Sequence, residues 1–325
     1  MGFTWQDGER TIRFGRGACA TALELVHEDY VLLTTPRAQP AGAHLVEEAA
    51  TVHHVAPGRV DELSERLLEE LRDTEHLVAL GGGRVIDTAK AVAAVTGATV
   101  AAIPTTLSAA EMTRIHRLPA SAPQGTAMVR PRIVVNDPDL CASQPPAELA
   151  ASAANSLGHA LEGPCTPKAS PVPVLAAREA ARLIDAAYLV DGEDPGGAGR
   201  EQLALAALLS GYTIDSTAYG LHHVLSQTLV READAGHGPA NAAMLPHTIA
   251  ALERRFPGRV DADGTLRALA ERLADRAGAR RLRDLGVAEA DLDRCAAAAA
   301  QRPQLQLTPP AADEAEIREL YAAAW

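Results

Sequence analysis

Four side chains in the second half of the chain, Asn155, His159, His223 and His237, are of the types that move protons or hold a metal. Asn155 and His159 are four residues apart in a segment of helical periodicity, so they share a face. His222 and His223 open a further helical segment, and His237 follows in Ala235-Gly-His-Gly-Pro239. A lone histidine on a helix is more often structural than reactive. Four such groups on helices of one half suit general acid–base work at neutral pH.

The first half carries a different signal. The apolar run Leu77-Val-Ala-Leu80 ends in Gly81-Gly82-Gly83, and a helical pattern starts at once with Arg84-Val-Ile-Asp-Thr-Ala-Lys90. That order predicts a buried strand, a tight turn and a helix N-terminus, where backbone N–H groups and the helix dipole favour an anion. The next β-rich run, Thr99–Ile103, ends at Pro104 with Thr105 and Thr106 behind it. Glycines and threonines at the carboxyl ends of neighbouring strands suit a pyrophosphate. Asp87 and Lys90, one helical turn apart, are expected to be a surface pair.

These groups need scaffolding, and the pattern supplies it. Short β-rich runs (11–14, 30–34, 51–55, 76–80, 99–103 and 132–135) alternate with helical segments near 18–27, 60–73 and 84–96. Such alternation predicts a mostly parallel sheet with helices on both faces. Residues 127–130 before Pro131 could form one arm of a hairpin with Ile133–Asn136. After Pro146 no strand is expected. Helical segments follow near 147–163, 171–189, 200–218, 220–231, 239–254, 263–276, 288–299 and 313–324, with an exposed turn over 192–199. The expected fold is an α/β dinucleotide-binding domain over 1–145 and an all-helical catalytic domain over 146–325.

Composition narrows the function. The chain has 325 residues, 47% of them hydrophobic, and a formal charge of -12 without a Lys/Arg cluster, which argues against nucleic acid and anionic membrane as partners. No apolar stretch is long enough to cross a bilayer, and the mixed polar start is no secretion signal. Cys19, Cys141, Cys165 and Cys295 form no CxxC pair and read as reduced thiols of a cytoplasmic protein.

Several of these segments together carry a resemblance. Gly81-Gly-Gly-Arg-Val-Ile-Asp-Thr-Ala-Lys90, Ile103-Pro-Thr-Thr106, Glu111-Met-Thr113, Asn136-Asp-Pro-Asp139, His159-Ala-Leu-Glu162 and His237-Gly-Pro-Ala-Asn241 resemble the iron-containing alcohol dehydrogenase superfamily, whose fold is shared with dehydroquinate synthase. Within it, Leu33-Thr-Thr-Pro36, Asn155-Ser-Leu-Gly-His159 and Gly220-Leu-His-His223 are most similar to maleylacetate reductases. The resemblance implies a NAD(P)H-dependent reduction of a ketone or enone on a small carboxylated substrate. It implies Gly81, Gly82, Gly83, Thr105, Thr106, Thr35 and Arg37 as cofactor-binding residues, with NADH or NADPH open; Arg37 would face a 2′-phosphate.

The metal-dependent members use one aspartate and three histidines, and the matching positions here are Asn155, His159, His223 and His237. A neutral amide in place of the carboxylate weakens a divalent-metal site, so the expected site lacks a metal. A proton donor, His223 or His237, then does the work, with Asn155 and His159 fixing geometry. Arg114, His116 and Arg117 offer a cation for a carboxylate or else a solvated hairpin. Gln227 stands where the family often has another histidine, and Leu107-Ser-Ala-Ala110 and Leu229-Val-Arg-Glu232 also depart from its pattern. These departures support one alternative, a non-redox lyase, dehydratase or cyclase on the same scaffold. A homodimer through the N-terminal sheet edge is the assembly expected.

Overall fold

The computed structural model describes residues 2–189, 197–261 and 263–325. Its contacts group the chain into two compact units, residues 1–144 with 194–208, and residues 145–193 with 209–325.

The first unit is built on a seven-stranded sheet. In chain order its elements are β1 (Phe3–Asp7), β2 (Arg10–Phe14), β3 (Val31–Thr34), α1 (Ala43–Glu47), β4 (Thr51–His54), α2 (Val60–Leu67), β5 (His76–Gly81), α3 (Gly83–Thr96), β6 (Thr99–Pro104) and β7 (Ile133–Asn136). The spatial order is β1-β2-β7-β6-β5-β3-β4, and only the β1–β2 hairpin is antiparallel. β5 lies between β6 and β3 and is covered on both faces. Leu77 and Ala79 join the core that holds Ile86 and Ala89 of α3, while Val78 and Leu80 pack with Leu32, Ala101 and Ile103 on the other face. This double burial is why β5 reads as a continuous apolar run. The strand order reverses between β5 and β3, and ligands of open α/β sheets bind at the carboxyl ends flanking such a point.

The second unit is helical: α4 (Pro146–Glu162), α5 (Pro171–Leu189), α6 (Ala198–Thr217), α7 (Leu221–Glu232), α8 (His237–Arg255), α9 (Thr265–Arg276), α10 (Leu292–Ala300) and α11 (Glu314–Ala324), with the first turns of α6 counted in the first unit. Leu225, Met244, Cys295 and Tyr321, from α7, α8, α10 and α11, share one core. The α/β-plus-helical architecture is the one expected, and no strand follows residue 146 among the described residues.

Three local expectations are corrected. β1 escaped notice because its polar residues alternate on a half-solvated edge strand. Residues 127–130 form no strand, and Ile133–Asn136 instead pairs in parallel with β2 and β6. The segment 18–27 is a 3-10 helix over Ala18–Glu24. The turn expected over 192–199 lies mainly outside the described residues. All four cysteines are buried and unpaired, and no described helix is long and apolar enough to cross a membrane.

Lys90 is the clearest departure from expectation. It is completely buried rather than on the surface. Its Nζ lies 2.7 Å from Asp87 Oδ1 and donates to the carbonyls of Ala110, Thr113 and Ile115 at 2.9, 2.9 and 3.1 Å. One ammonium therefore straps the segment after β6 to α3, using all three of its protons. Lys90→Met keeps the volume but leaves these carbonyls and Asp87 uncompensated. With Asp87 partly exposed, the expected loss is about 2–4 kcal/mol, read by urea denaturation. Asp87→Asn added to Lys90→Met should recover part of it, and a loss below about 0.5 kcal/mol would show that the strap is dispensable.

Candidate active site

Two polar constellations stand out, one in each unit. In the first, β5 ends at Gly81 and α3 begins at Gly83 with Gly82 as its N-cap, and no side chain caps the helix. Thr105 N donates to Gly81 O at 3.0 Å, so the segment after β6 folds over the turn. Crowding presses on all three glycines, hardest on Gly81. A Cβ on Gly81 would stand 2.7 Å from Val85 Cγ2, one on Gly82 3.1 Å from Thr106 Oγ1, and one on Gly83 3.0 Å from Ser108 Cβ. Gly82 has an ordinary negative φ of -78°, so its need is for space. The turn is an uncapped helix N-terminus beside the hydroxyls of Thr106 and Ser108, which fits a pyrophosphate.

Thr35 and Arg37 follow β3, the strand next to β5. Thr35 Oγ1 accepts from Ala38 N at 3.2 Å and so shapes its own turn, while Arg37 is exposed. The arginine-rich stretch after Thr113 divides. His116 is buried, with its pKa pushed down to about 4 by desolvation and then by the Lys90 charge. Arg117 lies 3.7 Å from Asp61 on α2, and Arg114 is exposed.

In the helical unit, α4 carries Asn155, His159 and Glu162 at positions i, i+4 and i+7, one face of a helix. All three are buried, Glu162 at 0% exposure. α7 presents His222 and His223 to that face. The Glu162 carboxyl group accepts from His222 N at 2.7 Å and shares a hydrogen bond with His223 Nδ1 at 2.7 Å. The His159 and His223 rings stack with centroids 4.6 Å apart and an interplanar angle of 19°, and His222 meets His223 edge-on. His222 Nδ1 lies 2.9 Å from Thr248 Oγ1. That hydroxyl's proton goes to the carbonyls of Met244 and Leu245, so His222 Nδ1 is the donor to it. Close approach of α4 and α7 depends on Gly158, whose Cβ would fall 2.6 Å from His222 Nε2.

His237 stands apart: it is exposed at the start of α8, with its Nε2 3.3 Å from Asn241 Nδ2. Among the described residues, Asn155 Oδ1, His159 Nδ1 and His223 Nε2 are buried with no hydrogen-bond partner. Sequence reasoning missed Glu162 as a site residue. The signal was its place three residues after His159, on the same helical face.

Burial sets the protonation of this cluster. It lowers the pKa of His222 and His223 to about 3 and drives His159 well down, with mutual repulsion among the histidines adding to the effect. Burial raises Glu162 to about 6, against the hydrogen bonds it accepts.

A profile described as iron-containing alcohol dehydrogenase matches residues 10–138, and one for the C-terminal part of the Fe-containing alcohol dehydrogenase family matches residues 149–325. The chain belongs to the iron-containing alcohol dehydrogenase family. Membership makes it an NAD(P)-dependent oxidoreductase. Maleylacetate reductase from Pseudomonas aeruginosa is 30% identical over 290 residues, covering 81% of this chain and 80% of that protein. The structure of maleylacetate reductase from Agrobacterium tumefaciens aligns with a TM-score of 0.86 at 28% identity, over 99% of this chain and 97% of that one. That from Rhizobium sp. strain MTP-10005 aligns with a TM-score of 0.85 at 27% identity, over 100% and 98%.

The family name raises the question of a metal, and the donor set present is a weak one. Asn155 brings no charge, so the set lacks the anionic ligand that strengthens a divalent-metal site. No group of three or more His, Cys, Asp or Glu among the described residues is set to hold a metal ion.

The cluster has a thermodynamic signature. A histidine whose folded pKa is depressed stays neutral where the unfolded chain takes up a proton, so stability is lost as pH falls below about 6.5. Glu162, raised to about 6, works the other way but is one group against three. Between pH 7 and pH 5 the cluster should cost about 5 kcal/mol of unfolding free energy, measured as urea midpoints at both values. Equal stability at the two pH values would mean that the histidines are already charged or hydrated in the native protein.

Proposed function

We propose that the protein is a NAD(P)H-dependent, metal-independent reductase of a small carboxylated ketone or enone, of the maleylacetate reductase type, with His223 as its proton donor. The observation that carries the reading is the buried Glu162–His223 pair, 2.7 Å across, with His223 Nε2 left without a protein partner among the described residues.

The nicotinamide, when bound, supplies the hydride. Gly81, Gly82 and Gly83 with Thr105 and Thr106 would hold its pyrophosphate, and Thr35 and Arg37 would meet the adenosine end, for NADH or NADPH alike. What remains for the chain is a proton. Burial favours the uncharged state of the pair, with the proton on Glu162 and His223 carrying its own on Nε2. As the substrate oxygen gains charge, Nε2 gives up its proton and Nδ1 receives the one from Glu162. The relay leaves a carboxylate that already accepts a backbone N–H from His222. His159 stacks on the His223 ring and orients it, Asn155 would help to fix the geometry from the same face of α4, and His237, near enough to depress the His223 pKa, sits at the solvent side. The resemblance to maleylacetate reductases supports the redox reading over a lyase, dehydratase or cyclase.

His223→Asn should lower the rate of single-turnover reduction by roughly 10²–10⁴-fold with cofactor affinity nearly unchanged. Glu162→Gln keeps a donor to Nδ1 but has no proton to relay, so a smaller loss is expected, together with loss of the pH limb. In the wild type the rate should fall as pH rises through about 6, the Glu162 value. Wild-type rates in both variants would remove the pair from the chemistry.

Activity should also survive exhaustive chelation, because the set lacks an anionic ligand free to meet an ion. Asn155→Asp should raise divalent-metal affinity, measured by calorimetry. Loss of activity on chelation, restored by one ion, would show the metal-independent reading to be wrong.

A further inference from the structure

We infer that Arg302 is the anchor for the substrate carboxylate, a subsite beside His223 that selects ketones bearing an acid; this rests on the reductase reading. Arg302 follows α10 and turns its guanidinium toward the start of α7. Its Nη2 donates to Gln227 Oε1 at 2.9 Å and to Tyr219 Oη at 3.2 Å. Both partners are neutral. No carboxylate of the described residues pairs with Arg302, and its Nη1, though buried, has no hydrogen-bond partner among them.

A half-buried cation with an unsatisfied N–H costs free energy unless an anion meets it. The nearest machinery shows which anion. The Tyr219 ring lies 6.0 Å from the His223 ring, so the guanidinium is one aromatic side chain from the proposed proton donor. The position is held firmly. Thr308, six residues after Arg302, accepts from Leu221 N at 3.0 Å. A Cβ on Gly220 would fall 2.1 Å from Thr308 Oγ1, so the 302–308 segment and the start of α7 are in contact. Ala218, just before Tyr219, holds a left-handed φ of 58°, a strained conformation for a residue with a Cβ.

Gln227 makes the subsite workable. A histidine there would compete for a proton and offer the guanidinium no obligatory acceptor. The Gln227 amide oxygen accepts from Nη2 and leaves the buried Nη1 without an acceptor among the described residues. A carboxylate accepts from such a fork with geometry an ammonium cannot match. Such an anchor would fix one end of a small keto acid while its carbonyl meets His223 Nε2.

The test uses the full chain, maleylacetate with NADH or NADPH, the dimethyl ester of maleylacetate, and maleate as a non-reducible dicarboxylate. Arg302→Met should raise KM for maleylacetate about 10²-fold with kcat changed less than fivefold. It should lower maleate affinity at least tenfold by calorimetry and leave reduction of the ester unaltered. Arg302→Lys should fall between, restoring the charge without the fork. Gln227→Leu, which keeps the cation, should change KM less than tenfold. Equal effects on acid and ester, or full maleate affinity in Arg302→Lys and Arg302→Met, would overturn the assignment. Should the wild type reduce no ketone yet bind maleate through Arg302, the subsite stands and the reductase reading falls. If reduction proceeds with KM indifferent to Arg302, the reverse holds. A misfolded Arg302→Met leaves the lysine and ester arms to decide.

Discussion

A carboxylate with no exposure to water holds the helical unit's chemistry in place. Glu162 closes α4 and makes two hydrogen bonds of 2.7 Å to α7, accepting from His222 N and sharing a proton with His223 Nδ1. Burying such a group is costly unless several donors meet it. The partners here are backbone N–H groups of the first turn of α7 and a ring of that same helix. The arrangement also satisfies backbone N–H groups that a helix start leaves without intrahelical partners. Helix termination, interhelical docking and imidazole orientation thus share one acceptor. Gly158 completes the constraint, since any side chain there would push the His222 ring away from α4.

The first unit reaches precision by a different route. There the crowding is between backbone and small side chains. Three glycines are pressed by Val85, Thr106 and Ser108, and a buried lysine ties the following segment through three carbonyls. Ala109 holds a φ of 61° inside that segment, a strained conformation for a residue with a Cβ. The strap and the strain belong together: a loop bent this sharply keeps its shape only when its carbonyls are fixed.

Much of this was legible in the sequence, and the rest was hidden for physical reasons. The glycine turn is a local pattern: an apolar run, three glycines and a helical repeat are contiguous, so β5 and α3 emerge directly. The long helices are visible because their apolar periodicity is uninterrupted. Asn155 and His159 are likewise local, four residues apart on one helix. Lys90 could not be read correctly, because an i,i+3 acid–base pair looks the same whether solvent or a folded-over loop covers it. Glu162 was in view within His159-Ala-Leu-Glu162, but its importance comes from α7, sixty residues away in sequence. Arg302 is farther still from its partners, and only tertiary structure shows that its fork meets amide and phenol oxygens instead of an acid.

The replacement of a carboxylate by Asn155 has a consistent electrostatic logic. With an aspartate at that position, the buried set would carry two carboxylates, and a cation would be needed to balance them. With asparagine, Glu162 is the acid of this buried set, and its proton can be shared with His223 so that the whole set is neutral. Neutrality suits a dry site. It also explains why the histidines can crowd, with rings 4.6 and 4.8 Å apart, since stacked imidazoles repel one another only when charged. The cation that the cluster itself does not contain stands beyond Tyr219, on Arg302, where in the proposed reaction it would leave the relay neutral and still meet an acid brought in by the substrate.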